Sequence, residues 1–226
     1  MIDPVKRRPY SSAIRAQRAQ RTQERVLVAA RRLFGERGYV GTTVEDIAKR
    51  ARVAPATVYL AFGSKRAVLM ELVATAAGGP EVARLYAAIL AEPLARRRLA
   101  LAAKVTRVIT EGAWDVMQAI RGGAATDRDL ADAWQQGEDA RHAAVARAIR
   151  PLTPAASRSD GDAIVDLVWA LTGPDLYRAL VVERGWSADC YEKILSQLLV
   201  AAVRTRRGHN GPSSRLRTRH RSAMSG

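Results

Sequence analysis

Lys49, Arg50, Arg52, Lys65 and Arg66 closely flank the short apolar run Thr57-Val58-Tyr59-Leu60-Ala61-Phe62. Ammonium and guanidinium groups gathered beside a helix-sized segment suit phosphate, through charge and through donated hydrogen bonds. Few other residues offer chemistry. The histidines are His142, His209 and His220, and the last two lie in a Gly-, Ser- and Arg-rich stretch that holds no catalytic geometry. The single cysteine, Cys190, forms no intrachain disulfide, excludes a cysteine-based zinc site and fits a reducing compartment. The chain has no phosphate loop, no paired His and carboxylate motif and no placed nucleophile. No catalytic residue, metal site or cofactor is therefore expected.

The charge is segregated along the chain. Its 226 residues carry 37 Lys and Arg against 22 Asp and Glu, a net charge of +15. Residues 1–80 account for +9, residues 81–203 for −1, and residues 204–226 for +7 with no acidic side chain. A small polyanion-binding module joined to an ordinary globular body, with a basic tail, has this pattern. Composition alone leaves DNA, RNA and an acidic membrane as partners. No apolar run approaches the roughly 18 residues of a membrane span. The expectation is a soluble, cytoplasmic chain with no membrane partner.

The polar and apolar spacing is helical from Ala13 to Val203, with no convincing strand. Breaks are expected at Gly38, at 51–54, at Gly63-Ser64, at Gly78-Gly79-Pro80, at Glu92-Pro93, at Gly122-Gly123, at 151–160, at Gly173-Pro174 and at 185–187. They delimit about ten helices.

Near the N-terminus, Val26, Leu27, Ala30, Leu33 and Phe34 form one apolar face, which Gly38 ends. Thr43 with Asp46 three residues on predicts a capping box, opening a short helix with Val44, Ile47, Ala48 and Ala51 inward. Pro55 suits the first position of the next helix, which runs to Gly63. Two short helices joined by a tight turn form a helix-turn-helix, whose second helix enters the DNA major groove. Ala48, Val53 and Val58 hold the pair together. Two short amphipathic helices also occur in any α-bundle; the charge segregation favours the DNA-binding reading.

The run from Arg21 to Leu72 resembles the DNA-binding domain of TetR-type transcriptional repressors. The likeness rests on Phe34, Gly38-Tyr39, Thr42-Thr43-Val44 and Ile47-Ala48, then Thr57-Val58-Tyr59, Phe62 and Ser64-Lys65. The resemblance implies an all-α homodimer. Each protomer has an N-terminal three-helix helix-turn-helix domain and a C-terminal helical bundle for regulation and dimerisation. Residues 1–20 form a basic arm, 21–66 the DNA-binding domain, 67–203 the ligand-binding and dimerisation domain, and 204–226 a disordered basic tail. It further implies that Thr42 or Thr43, Tyr59 and Lys65 contact phosphates of a double-stranded operator, while Pro55, Ala56 and Thr57 face bases.

Two positions depart from the family pattern. Arg52 stands at the turn position usually held by glycine, where a left-handed backbone costs a side chain about 1 kcal/mol. Contact of Arg52 with a phosphate or base edge offsets that cost; the alternative is a solvated turn residue. Ala54 stands where Ser or Thr normally caps the reading helix. Upstream, Lys6-Arg7-Arg8 and the helical row Arg15, Arg18, Arg21 and Arg25 suit the minor groove or the phosphate backbone, or are simply solvated.

In the body, the resemblance implies an apolar cavity for an unidentified small molecule, with Tyr86, Trp114, Met117, Trp134 and Trp169 as candidate lining; plain core is the alternative. The stretch from Leu167 to Ser187 resembles the end of the regulatory domain in one group of the family. It implies a four-helix dimer interface that uses Leu195, Leu198, Leu199 and Ala202, residues that equally suit the protomer's own core. The leading function is a repressor released from a palindromic operator by a ligand. Its alternative is a constitutive, ligand-free DNA-binding or architectural protein. An enzyme on a helical scaffold lacks the residues it needs.

Overall fold

The computed structural model describes residues 10–153 and 157–205. Lys6-Arg7-Arg8 and the tail from 206 onward lie outside the described residues. Helices account for nearly all the described residues, among which there is no strand and no helix long and apolar enough to cross a membrane.

The first helix, α1 (Tyr10–Arg37), runs through the arginine row and ends where Gly38 turns left-handed at φ +70°. Its apolar stripe of Val26, Ala29, Ala30, Leu33 and Phe34 is buried. Helix α2 (Val44–Ala51) opens with the expected capping box. Asp46 N donates to Thr43 Oγ1 at 3.1 Å and Thr43 N donates to the Asp46 carboxylate at 3.2 Å. The Thr43 hydroxyl also donates to that carboxylate at 2.9 Å, and this bond, followed by the one from Thr43 N, holds the Asp46 carboxyl below its usual range. Arg52 follows at φ 55°, the one non-glycine residue with positive φ among those described. Helix α3 (Pro55–Phe62) starts on Pro55 without a side-chain cap on Ala54, as its sequence requires, and Gly63 ends it at φ +80°. Ser64 caps α4 (Lys65–Gly78) by accepting from Ala67 N at 3.1 Å.

The body follows as α5 (Pro80–Ala91), α6 (Ala95–Ala124), α7 (Arg128–Ile149), a 3₁₀ turn, α8 (Arg158–Leu171), α9 (Pro174–Tyr177), a π-helical segment (Arg178–Glu183) and α10 (Ala188–Thr205). One expected break falls elsewhere. Helix α6 continues through Gly122 and Gly123 and stops at 125–127, where Asp127 caps α7. Gly123 serves packing rather than termination: a Cβ there would lie 2.6 Å from Leu130 Cδ1 and 2.9 Å from Tyr39 Cδ1.

Two hydrophobic cores organise the chain. The first holds α1 to α4 together through Val26, Leu33, Phe34, Ile47, Val58 and Leu69, and it extends into the body through Val116, Ala119 and Ile120 of α6 and Leu130 of α7. The second is built from α5, α6, α7, α8 and α10 around Leu99, Ile149, Ile164, Tyr191, Leu195 and Leu199. The helix-turn-helix unit therefore shares its core with α6 and α7. Polar ties cross the same seam. Arg31 forks onto Asp115 of α6 at 2.7 and 3.0 Å, and Arg66 pairs with Asp127 and Asp129 at the start of α7.

Candidate nucleic-acid interface

Helix α3 buries one residue completely, Val58, which meets the first core together with the half-buried Val53 and Phe62. Its remaining surface faces outward. Pro55, Ala56, Tyr59 and Leu60 are exposed and Thr57 is half-buried, so the first turn presents small apolar groups and a hydroxyl, with a phenol one turn later. Leu60 is 90% exposed. It is one helical turn from Ala56 and Thr57 and so extends the edge they form; the sequence reading did not single it out, although the i, i+3 and i+4 spacing signalled it.

The structure separates Thr42 from Thr43. Thr42 is fully buried, and its hydroxyl donates to the Gly38 carbonyl at 2.8 Å. That hydroxyl pins the loop between α1 and α2 and does not face solvent. Thr43 is exposed at the α2 N-cap, where its side chain completes the capping box.

Lys65 is half-buried, and its Nζ donates to the carbonyls of Tyr39 and Thr42, both at 2.8 Å, while lying 4.1 Å from the centre of the Tyr39 ring. An ammonium has three N–H donors, so one remains. Burial moves its pKa below the ordinary lysine value, with Asp127 opposing. Lys65 thus ties the start of α4 to the loop leading into α2 and brings the two helix N-termini beside each other. Backbone N–H groups at such ends are anion donors.

The flanking cations divide into two sets. Arg66 is paired with the body through Asp127 and Asp129, and Arg50 donates to Glu36 at 3.1 Å. Lys49 and Arg52 are exposed. Arg25, expected from the sequence in an arginine row that suits DNA or is simply solvated, donates through Nη2 to the carbonyls of Ala51 and Arg52, the latter at 2.9 Å. It therefore satisfies the C-terminal end of α2 and fixes the turn in which Arg52 is left-handed. The partner is 27 residues away, and no local signal shows the contact.

In the body, the candidate lining residues are dispersed. Trp134 packs against the first core and Trp114 against the second. Trp169 lies against Arg141, at 4.8 Å, and His142. Tyr86 is 38% exposed and Met117 is half-buried. Trp114 is instead grouped with Tyr177, at 5.6 Å, and Tyr177 with Tyr191, at 5.2 Å and nearly perpendicular. Two buried donors in the body, Trp169 Nε1 and Tyr191 Oη, have no hydrogen-bond partner among the described residues. Burial, with Tyr177 adding to it, pushes the Tyr191 phenol well above its usual pKa. On α10, Leu195, Leu199 and Ala202 are buried in the protomer's own second core, while Leu198 is 39% exposed.

Residues 26–72 match the family model described as bacterial regulatory proteins, tetR family. Over 65 residues the chain is 42% identical to HTH-type transcriptional regulators, themselves uncharacterized, from Mycobacterium bovis and Mycobacterium tuberculosis; the match covers 28% of this chain and 30% of theirs. The chain thus spans less than a third of the length of these curated relatives. Solved structures extend the likeness to the whole fold. A transcriptional regulator (TerR/AcrR family) from Aquifex aeolicus superposes with a TM-score of 0.63 at 20% identity, over 79% of this chain and 98% of that one. SmeT in complex with triclosan gives 0.64 at 20% identity, over 80% and 90%. A transcriptional regulator from Saccharomonospora viridis in complex with choline gives 0.53 at 22% identity, over 79% and 95%.

Proposed function

We propose that the chain is a DNA-binding transcriptional regulator of the TetR type, a homodimeric repressor released from a palindromic operator by a small molecule; the match of residues 26–72 to the tetR-family model supports this. The observation that carries the DNA-binding part is the outward edge of α3, where Pro55, Ala56, Thr57 and Tyr59 stand beside Arg52, with Thr43 and Lys65 at neighbouring helix starts. Pro55, Ala56 and the Thr57 methyl suit thymine methyl groups, whereas Thr43, Tyr59, Lys65 and Arg52 suit phosphate oxygens.

Arg52 gives one prediction. Arg52→Gly removes left-handed strain of about 1 kcal/mol but frees the unfolded chain by a similar amount, so stability stays within about 1 kcal/mol of the native protein. Operator affinity is expected to fall, and the dependence of log K on log salt to lose about one unit per contact. Equal affinity and slope across a salt series would show Arg52 to be a solvated turn residue.

Dimerisation is supported by Leu167 of α8 and Leu198 of α10, apolar side chains left 43% and 39% exposed on two helices that pack together. A symmetric dimer sets two reading helices on one DNA face. Sedimentation at micromolar concentration tests this, and a monomer would refute it.

A ligand in the body is supported by the unpartnered Trp169 Nε1 and Tyr191 Oη, and by the triclosan and choline complexes of two structural neighbours. An unsatisfied buried hydroxyl costs about 1–3 kcal/mol, so Tyr191→Phe is expected to raise the melting temperature. If that hydroxyl donates to the effector, the same change raises the half-releasing dose severalfold, as a hydrogen bond of about 0.5–1.5 kcal/mol implies. A melting temperature no higher than the native protein's would contradict the first expectation, and an unchanged dose the second. The decisive experiment titrates an operator complex with small-molecule fractions of cell extract, read by fluorescence anisotropy. Release by one fraction supports the repressor reading; a complex that no fraction releases supports constitutive DNA binding.

A further inference from the structure

An open groove of about 740 Å³ runs between α1 and the C-terminal end of α2. Its rim carries Arg21, Arg25, Arg32, Arg50 and Arg52 against one carboxylate, Glu24. Its floor is small and apolar: Ala29, Ala51 and Val28, the last 71% exposed. The arginines are not equivalent. Arg25 is spent on the carbonyls of Ala51 and Arg52, and Arg32 and Arg50 share Glu36. The side chains of Arg21 and Arg52 make no hydrogen bond or ion pair with another described residue, and both are exposed.

We propose that this groove is a second DNA-backbone site, taking sugar-phosphate outside the segment read by α3, with Arg21 and Arg52 as the phosphate contacts and Arg25 as a positioning residue. Four observations carry it. The groove is lined by Arg52, three residues before Pro55, so it adjoins the start of the reading helix. Its charge is strongly one-sided. Its small apolar floor admits deoxyribose, which alternates with phosphate along a strand, whereas a site for an isolated anion needs only the cations. The left-handed backbone at Arg52, held by Arg25, aims a side chain from a position where strain is otherwise relieved by glycine.

This inference rests on the DNA-binding reading, and the test separates the two. The full-length protein is bound to a duplex carrying its selected motif, with natural flanks or with flanks made neutral by methylphosphonate linkages. Arg21→Gln and Val28→Glu, both on the exposed face of α1, are compared at several salt concentrations after their melting temperatures are matched to the native protein. The native protein is expected to lose about tenfold in affinity when the flanks are neutralised. Arg21→Gln should lack part of that increment, with a salt slope smaller by about one and unchanged motif preference. Val28→Glu should behave likewise by placing a carboxylate against the backbone.

Specific binding that ignores flank charge, or two variants identical to the native protein, would overturn the groove site and leave the regulator reading standing. Failure to bind any duplex would overturn both. Saturable binding of pyrophosphate, abolished by Arg21→Gln while flank charge has no effect, would assign the groove to a free phosphorylated molecule instead.

Discussion

Ala56→Glu is expected to abolish operator binding while leaving the fold intact. Ala56 is exposed in the first turn of α3 and touches none of the core that Val58 enters. A glutamate there loses an apolar base contact and forces an unpaired carboxylate against DNA. Base-edge contacts are worth about 1–3 kcal/mol each, and a buried charge without a partner costs more. Together they predict a loss exceeding about a hundredfold in affinity. The folded state is not penalised, because a carboxylate in the first helical turn gains about 0.3–1 kcal/mol from the helix dipole. Circular dichroism melts and anisotropy titrations are thus expected to diverge, with stability equal or slightly higher and binding absent. A variant that still bound its operator within about threefold of the native protein would remove α3 as the reading helix.

Gly123→Val is expected to cause the largest loss of stability among single changes at the seam between the two cores. A Cβ at Gly123 meets Leu130 Cδ1 at 2.6 Å and Tyr39 Cδ1 and Cγ at 2.9 and 3.1 Å. Leu130 is fully buried and Tyr39 is 8% exposed, so neither has solvent to swing into. Overpacking of a closed site costs about 1–3 kcal/mol for a methylene or two, and a β-branched residue adds further atoms without a strong helix propensity to offset them. The expected loss is at least about 2 kcal/mol.

The displaced Tyr39 also carries one of the two carbonyls that hold Lys65 and donates its phenol to Asp127 at 3.4 Å. DNA affinity should therefore fall along with stability. Gly122→Ala is the matched control. Nothing lies within 4 Å of its Cβ, and a helical alanine gains up to about 1 kcal/mol over glycine. Equal melting temperatures for the two variants would show that the seam is loosely packed.

The N-terminal features written in adjacent residues were legible from the sequence. Gly38 stops α1, Thr43 and Asp46 box the start of α2, Pro55 opens α3 and Gly63 ends it, each through chemistry confined to four or five residues. At Arg52 only the family's usual glycine pointed to a left-handed backbone, since a residue with a Cβ disfavours it, and the structure shows it at φ 55°. What the sequence hid depends on distant partners. Arg25 reads as one more cation on a helical row until Ala51 and Arg52 are brought to it. Thr42 and Thr43 are neighbours of one type, and only the packing of Leu33 and Gly38 around the first buries it. Gly123 reads as a helix stop because its neighbours, Tyr39 and Leu130, come from two other segments. The stripe Leu195, Leu199 and Ala202 shows where the apolar side of α10 lies but not which surface covers it, and the protomer's own core does so.

Whether the α2–turn–α3 unit reads a defined DNA sequence is tested most directly by sequencing the duplexes that the purified protein retains from a random library. The expected result is an inverted repeat whose half-site centres are about 10 base pairs or a multiple apart, recovered by the native protein and lost with Ala56→Glu. Retained DNA no different in sequence from the input, or the same motif recovered by Ala56→Glu, would contradict it.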